Sequence, residues 1–82
     1  MRLPRDIGGQ DLADLLSTYG YKITRQTGSH LRLTSSAGGS VHSLTLPNHK
    51  PLKIGTLSAV LSDVARHLKL EKHELVRHLF GP

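Results

Sequence analysis

The hydrophobic pattern of the chain switches from a helical period to an alternating one and back again. In GGQDLADLLSTYGY, Leu12, Leu15, Leu16 and Tyr19 recur at helical spacing after a glycine pair and stop at Gly20. This predicts a helix over about 9–19, closed by a glycine suited to a left-handed C-terminal position. YKITRQ then alternates, with Tyr21 and Ile23 on one side and Lys22, Thr24 and Gln26 on the other. HLRLT sets Leu31 and Leu33 against His30, Arg32 and Thr34. A tight turn over Thr27 to Ser29, using Gly28, joins these two runs as a hairpin. SSAGGS at 35–40 has the composition of a flexible loop, and VHSLTLP follows as a third strand, with Leu44 and Leu46 inward and Ser43 and Thr45 outward. NHKPLKI is a loop. Gly55-Thr56 opens a second helix in which Leu57, Val60, Leu61, Val64 and Leu68 repeat at three and four, and Leu75, Val76 and Leu79 mark a last helix at about 71–79.

Helix, three antiparallel strands, helix, helix is the order of an α+β two-layer sandwich, whose helices cover one sheet face and leave the other wet. Ile23, Leu31, Leu33, Leu44 and Leu46 need the covered face. His30, Arg32, Thr34, Thr24 and Thr45 therefore belong on the open one, because successive strand side chains alternate. With 82 residues and no repeat or linker, the chain is expected to form one domain over 1–82.

Charge gives the open face a sign. The net charge is +5, and no Asp or Glu occurs between Leu15 and Ser62, where Lys22, Arg25, Arg32, Lys50 and Lys53 all lie. The flanking segments balance their acids against their bases, so the central stretch carries the whole excess. A positive field of this kind favours a polyanion such as nucleic acid over a neutral ligand, although it also serves simple solubility. The absence of cysteine removes disulfides, thiolate metal sites and cysteine nucleophiles. No apolar run approaches the roughly 20 residues of a membrane helix, and MRLPRDIGGQD lacks the apolar stretch of a signal peptide. A cytoplasmic protein with no membrane association is expected.

His30 stands out chemically. An imidazole can take and give a proton near neutrality, and cleavage of RNA needs a base for the 2′-hydroxyl, an acid for the leaving 5′-oxygen and cations for the phosphorane. Arg32 shares its face and offers a permanent cation with phosphate-compatible geometry. Lys50, Lys53 and the amides opening the Gly55 helix are candidates for a flanking phosphate. By spacing alone, His30 also fits an exposed bystander. His42 shares the inward parity of Leu44 and Leu46 and reads as a partly buried, hydrogen-bonded histidine, while His49 fits either a phosphate contact or a turn cap. His67, His73 and His78 lack the i, i+4 spacing of a helical zinc pair and read as solvated positions. No metal or other cofactor is expected, since glycine-rich nucleotide loops and a nucleophile elbow are absent and Ser29 has no acid partner in reach.

The ordered set of Gly20-Tyr21, Gly28-Ser29-His30, Pro47 to His49 and Gly55-Thr56-Leu57, spanning about 9–64, resembles the HicA family of small bacterial and archaeal toxins. The resemblance implies a double-stranded-RNA-binding-domain-like fold. It also implies a type II toxin that cleaves mRNA without metal or ribosome, with His30 as its single catalytic histidine and a HicB-like antitoxin covering the site. Lys22, Arg25, Ser29, Arg32, His49, Lys50 and Lys53 are then the expected RNA contacts. GTLSAV departs from true duplex-binding domains, which carry a lysine cluster at that helix start, leaving Lys50 and Lys53 just upstream as substitutes. The alternatives are a non-catalytic RNA-binding module using the same basic sheet face, and a protein-interaction domain docking an acidic partner, with Arg2 to Arg5 and the last helix as further partner surface.

Overall fold

The computed structural model describes residues 3–81, so the partner surface expected at Arg2 lies outside the described residues. Helix α1 (Gly9–Leu16) runs into a 3-10 turn at Ser17–Tyr19. Strands β1 (Lys22–Thr27), β2 (His30–Ser35) and β3 (His42–Pro47) follow, then helices α2 (Ile54–Leu68) and α3 (Lys72–Phe80). The strands form one antiparallel sheet in the order β1-β2-β3, with β2 central. This is the α+β arrangement expected from the pattern, α-β-β-β-α with an added C-terminal helix.

The apolar stripes explain the layers. Leu12, Ala13 and Leu16 of α1 and Leu57, Val60, Leu61, Val64 and Ala65 of α2 are buried with Leu31 and Leu33 of β2 and Leu44 and Leu46 of β3. Helix α3 adds Leu75, Val76 and Leu79 to the same core. Gly20 takes φ +85° after the 3-10 turn, the left-handed conformation that a glycine adopts without steric cost. The chain thereby reverses into β1 and buries Tyr21, which is only 1% exposed. The two-residue turn Gly28-Ser29 has positive φ at Gly28 alone, as in type II′ hairpins.

Ile23, expected on the covered face, is 41% exposed at the rim of the sheet, and two further features of this region depart from the pattern reading. The β1–β2 register slips between Ile23 and Arg25, leaving Thr24 as an extra, bulged residue. Simple alternation would set Arg25 beside Ile23 and Gln26 beside Lys22. Because of the bulge, Arg25 pairs with Arg32 and Thr27 with His30 on the open face, while Gln26 pairs with Leu31. Second, SSAGGS is not irregular throughout. Ser35 ends β2 with 2% exposure, its hydroxyl donating to the Tyr19 carbonyl (3.0 Å) and accepting from the Ala37 amide (3.1 Å), and Ala37–Gly39 forms a 3-10 turn. A buried hydroxyl needs such partners, so this corner is ordered by hydrogen bonds.

Candidate active site

His30 begins β2, immediately after the hairpin turn, and is exposed. Parity therefore holds for it: Leu31 and Leu33 are fully buried, and His30 and Arg32 face solvent. Two clefts meet at this imidazole. One, of about 290 Å³, runs over the open sheet face and is lined by Arg25, Thr27, His30, Arg32 and Thr45. The other, of about 470 Å³, lies between the hairpin end of the sheet and the start of α2, and is lined by His30, Pro47, His49, Pro51, Leu52, Lys53 and Thr56. Neither lining contains a carboxylate.

The loop that carries His49 into the second cleft packs against the glycine pair at the start of α1. A Cβ added at Gly9 would stand 2.1 Å from the Pro47 carbonyl oxygen, and one at Gly8 would stand 3.0 Å from Lys50 Cβ. Helix α1 can therefore approach the loop after β3 closely enough for the Gly9 amide to donate to the His49 carbonyl (3.0 Å). Further along, the Leu52 amide donates to the Ile7 carbonyl (2.8 Å). From the other side, the Asn48 amide donates to the Ser29 carbonyl in the hairpin turn. The segment bearing His49 is thus tied by backbone bonds to α1 and to the turn that carries His30. The pattern GGQD signalled only a helix start, so this second task of Gly8 and Gly9 was not visible in it.

Asp11 completes the clamp. Its carboxylate accepts from the Gly8 amide (2.9 Å) and lies 3.5 Å from Lys50 Nζ, and these contacts, the backbone bond first, hold its pKa below the usual value. Lys50 is consequently directed toward α1 and lines neither cleft around His30. Lys53 does line the larger cleft, as the residue preceding α2, and no side chain caps that helix start. The first amides of α2 and Lys53 together favour an anion at this end of the cleft.

The other expected contacts divide. Arg25 and Arg32 are cross-strand partners on the open face, about 7 Å along β2 from His30 by strand rise. Lys22 is exposed at the far end of β1, opposite Thr34, and stands apart from the clefts. Ser29 is exposed in the turn and contributes its carbonyl to the Asn48 bond. Thr27, Thr45 and Thr56 also line the clefts; Thr45 was expected on the open face and Thr56 at the start of the second helix, but none of the three was expected as an RNA contact.

The remaining histidines also separate by environment. His42 is half-buried as expected, and its Nδ1 pairs with the Tyr21 hydroxyl at 2.7 Å. His67, expected on a solvated face, instead stacks on His42 with ring centroids 4.6 Å apart, and its Nε2 lies 2.9 Å from the Ala37 carbonyl. The α2 position turned it toward the 37–39 corner, a contact made only in three dimensions. His73 and His78 are exposed, with His78 Nδ1 lying 3.1 Å from the Tyr19 hydroxyl. Among the described residues, no helix is long and apolar enough to cross a membrane.

A cationic, carboxylate-free pair of clefts around an exposed histidine brings together Gly28-Ser29-His30, Pro47 to His49 and the start of α2, whereas Gly20-Tyr21 lies apart, beside Ser35 and His42. Comparison with protein families matches residues 9–70 to the model described as the HicA toxin of bacterial toxin-antitoxin. No curated protein and no solved structure shows significant similarity to the chain. The family match runs from the first residue of α1 through α2 and takes in every residue that lines the two clefts, so the chain belongs to the HicA toxin family of bacterial toxin–antitoxin systems.

Proposed function

We propose that this toxin is an endoribonuclease that cleaves mRNA in the cytoplasm without a metal ion, with His30 transferring a proton at the scissile phosphate. The observation that carries the reading is the position of His30 where two clefts meet, one with paired arginines and the other with Lys53 and the uncapped start of α2. A single RNA strand crossing both clefts would pass over the imidazole. Arg25 and Arg32 would hold phosphates on the sheet side, and Lys53 and the α2 amides would hold one beyond His30. His30 would exchange a proton with the reacting oxygens while these cations stabilise the charge that grows on the phosphorane. The nitrogen-rich lining supplies proton transfer and positive charge from the chain itself. A HicB-like antitoxin would silence the toxin by covering the same surface.

The purified protein is expected to cut single-stranded RNA in EDTA, leaving a 2′,3′-cyclic phosphate and a 5′-hydroxyl. His30→Ala should lower the rate by about 10²-fold or more, since that is the usual contribution of a positioned acid or base. Its stability should change by less than about 0.5 kcal/mol, because the side chain is exposed. Cleavage that appears only when a divalent metal is added would contradict the mechanism. A non-catalytic RNA-binding module is the second reading, favoured by the arginine pair lying on the sheet beside His30 rather than around it. That reading requires salt-sensitive binding with no strand scission.

A further inference from the structure

Scission of a phosphodiester by its own 2′-hydroxyl moves two protons, one off the attacking oxygen and one onto the departing oxygen. A single imidazole is placed for one of these transfers at a time, because the two oxygens occupy opposite apical positions on phosphorus. Among the side chains lining the two clefts, the imidazoles are those of His30 and His49, and imidazole is the side-chain type suited to both taking and giving a proton near neutrality. His30 lies in both clefts, and His49 only in the one at the head of α2.

We infer that His49 is the second proton-transfer group of this site, the acid that protonates the leaving 5′-oxygen. The inference rests on the ribonuclease reading and assigns the half of the reaction that His30 leaves open. The nucleotide whose 2′-hydroxyl attacks lies over the arginine side, and the departing nucleotide lies in the cleft at α2. His30 removes the 2′-hydroxyl proton as the bond from the 2′-oxygen to phosphorus forms. His49, entering protonated, gives its proton to the 5′-oxygen as the bond from phosphorus to that oxygen breaks. The products are a 2′,3′-cyclic phosphate and a 5′-hydroxyl, and the two imidazoles finish with their protonation states exchanged.

The supporting structure is unusual for an exposed loop residue. The His49 carbonyl is held by the Gly9 amide, and its neighbour Asn48 is held by the Ser29 carbonyl, one residue before His30. The two histidine-bearing segments are therefore bonded through their backbones, which fixes the placement of one segment against the other without using either side chain. Proton transfer needs that control of position. For the same reason, His49→Ala removes the imidazole and leaves the clamp intact.

The test uses two RNA substrates of one sequence, one ordinary and one with the 5′-bridging oxygen at the scissile position replaced by sulfur. A thiol ionises near ~8.5 and departs as thiolate without an acid. His49→Ala should be about 10²-fold slower than wild type on ordinary RNA and recover most of that loss on the sulfur substrate. His30→Ala should remain slow on both, and exposed His73→Ala should match wild type on both. Equal losses on both substrates for His49→Ala, wild-type rates on both, or recovery by His30→Ala in its place would overturn the assignment. Failure of the wild-type protein to cut either substrate would instead remove the ribonuclease reading on which it rests.

Discussion

Arg25 stands directly across the sheet from Arg32, two cations paired on adjacent strands with no acid among the residues lining their cleft. Like charges placed opposite each other on a sheet cost stability, by roughly 0.2–1 kcal/mol on the scale of cross-strand pairs. The pair therefore costs the sheet stability, as a pair kept for the proposed phosphate contact would. Arg25→Thr should raise the melting temperature at low salt while weakening RNA binding and flattening its salt dependence by about 0.7 for a lost single-strand phosphate contact. Arg32→Thr should do the same. An unchanged salt slope in both variants would place the RNA elsewhere.

Lys53 and Lys50 make a contrasting pair. Lys53 lines the cleft that contains His30, whereas Lys50 lies 3.5 Å from the Asp11 carboxylate and outside that lining. RNA affinity should therefore fall more for Lys53→Ala than for Lys50→Ala. Both substitutions are at exposed residues, where an ion pair is worth little, so melting temperatures should hardly move. Titration of a labelled oligonucleotide at two salt concentrations checks the order.

Gly9 provides a test of the clamp. In a helix, alanine is ordinarily favoured over glycine by about 0.8–1 kcal/mol. Here the new Cβ would stand 2.1 Å from the Pro47 carbonyl oxygen, far inside contact distance, and that oxygen belongs to backbone. The clash should outweigh the propensity, giving a net destabilisation of about 1–3 kcal/mol in denaturant unfolding. Activity should fall further than stability explains, since the displaced segment carries His49. A stabilised Gly9→Ala with wild-type cleavage would show that the close approach is dispensable.

The stacked histidines predict a pH dependence. Burial lowers the pKa of His42 from its usual 6.5, and the neighbouring His67 and Arg66 add to this while Asp63 opposes it. The unfolded chain then binds more protons than the folded one as pH falls below about 6.5, so stability is complete above that value and is lost toward acid. Asp11 contributes a separate loss at lower pH, below its usual 3.8, because its folded carboxyl is held more acidic. Urea midpoints measured down from pH 7.5 should fall first in the histidine window. His42→Gln, which cannot titrate there, should flatten that limb and leave the lower one.

The side of the sheet taken by His30 was legible because Leu31 and Leu33 flank Arg32 at strict period two, and both had to be buried. Arg25 was not legible in the same way. Its orientation depends on the Thr24 bulge, which belongs to strand pairing and leaves no mark in the local alternation of KITRQ. His49 was visible as a loop histidine, but its proximity to His30 comes from backbone bonds to Gly9 and Ser29 across the fold. His67 was misplaced on a solvated face because its partners, His42 and Ala37, arrive from another layer. Periodicity reads out which residues share an element's face; it does not read out which elements meet.

The bulge at Thr24 also bears on how this chain behaves toward copies of itself. Strand β1 lies at the rim of the sheet with all six residues exposed, and an unpaired rim of that length offers amide and carbonyl groups to any other extended strand. Inserting one residue breaks the even spacing of those groups, twists the strand, and places charged Lys22 and Arg25 on either side of the break. The residue that turns a cation toward the open face thus also makes the rim a poor template for fibre-like association.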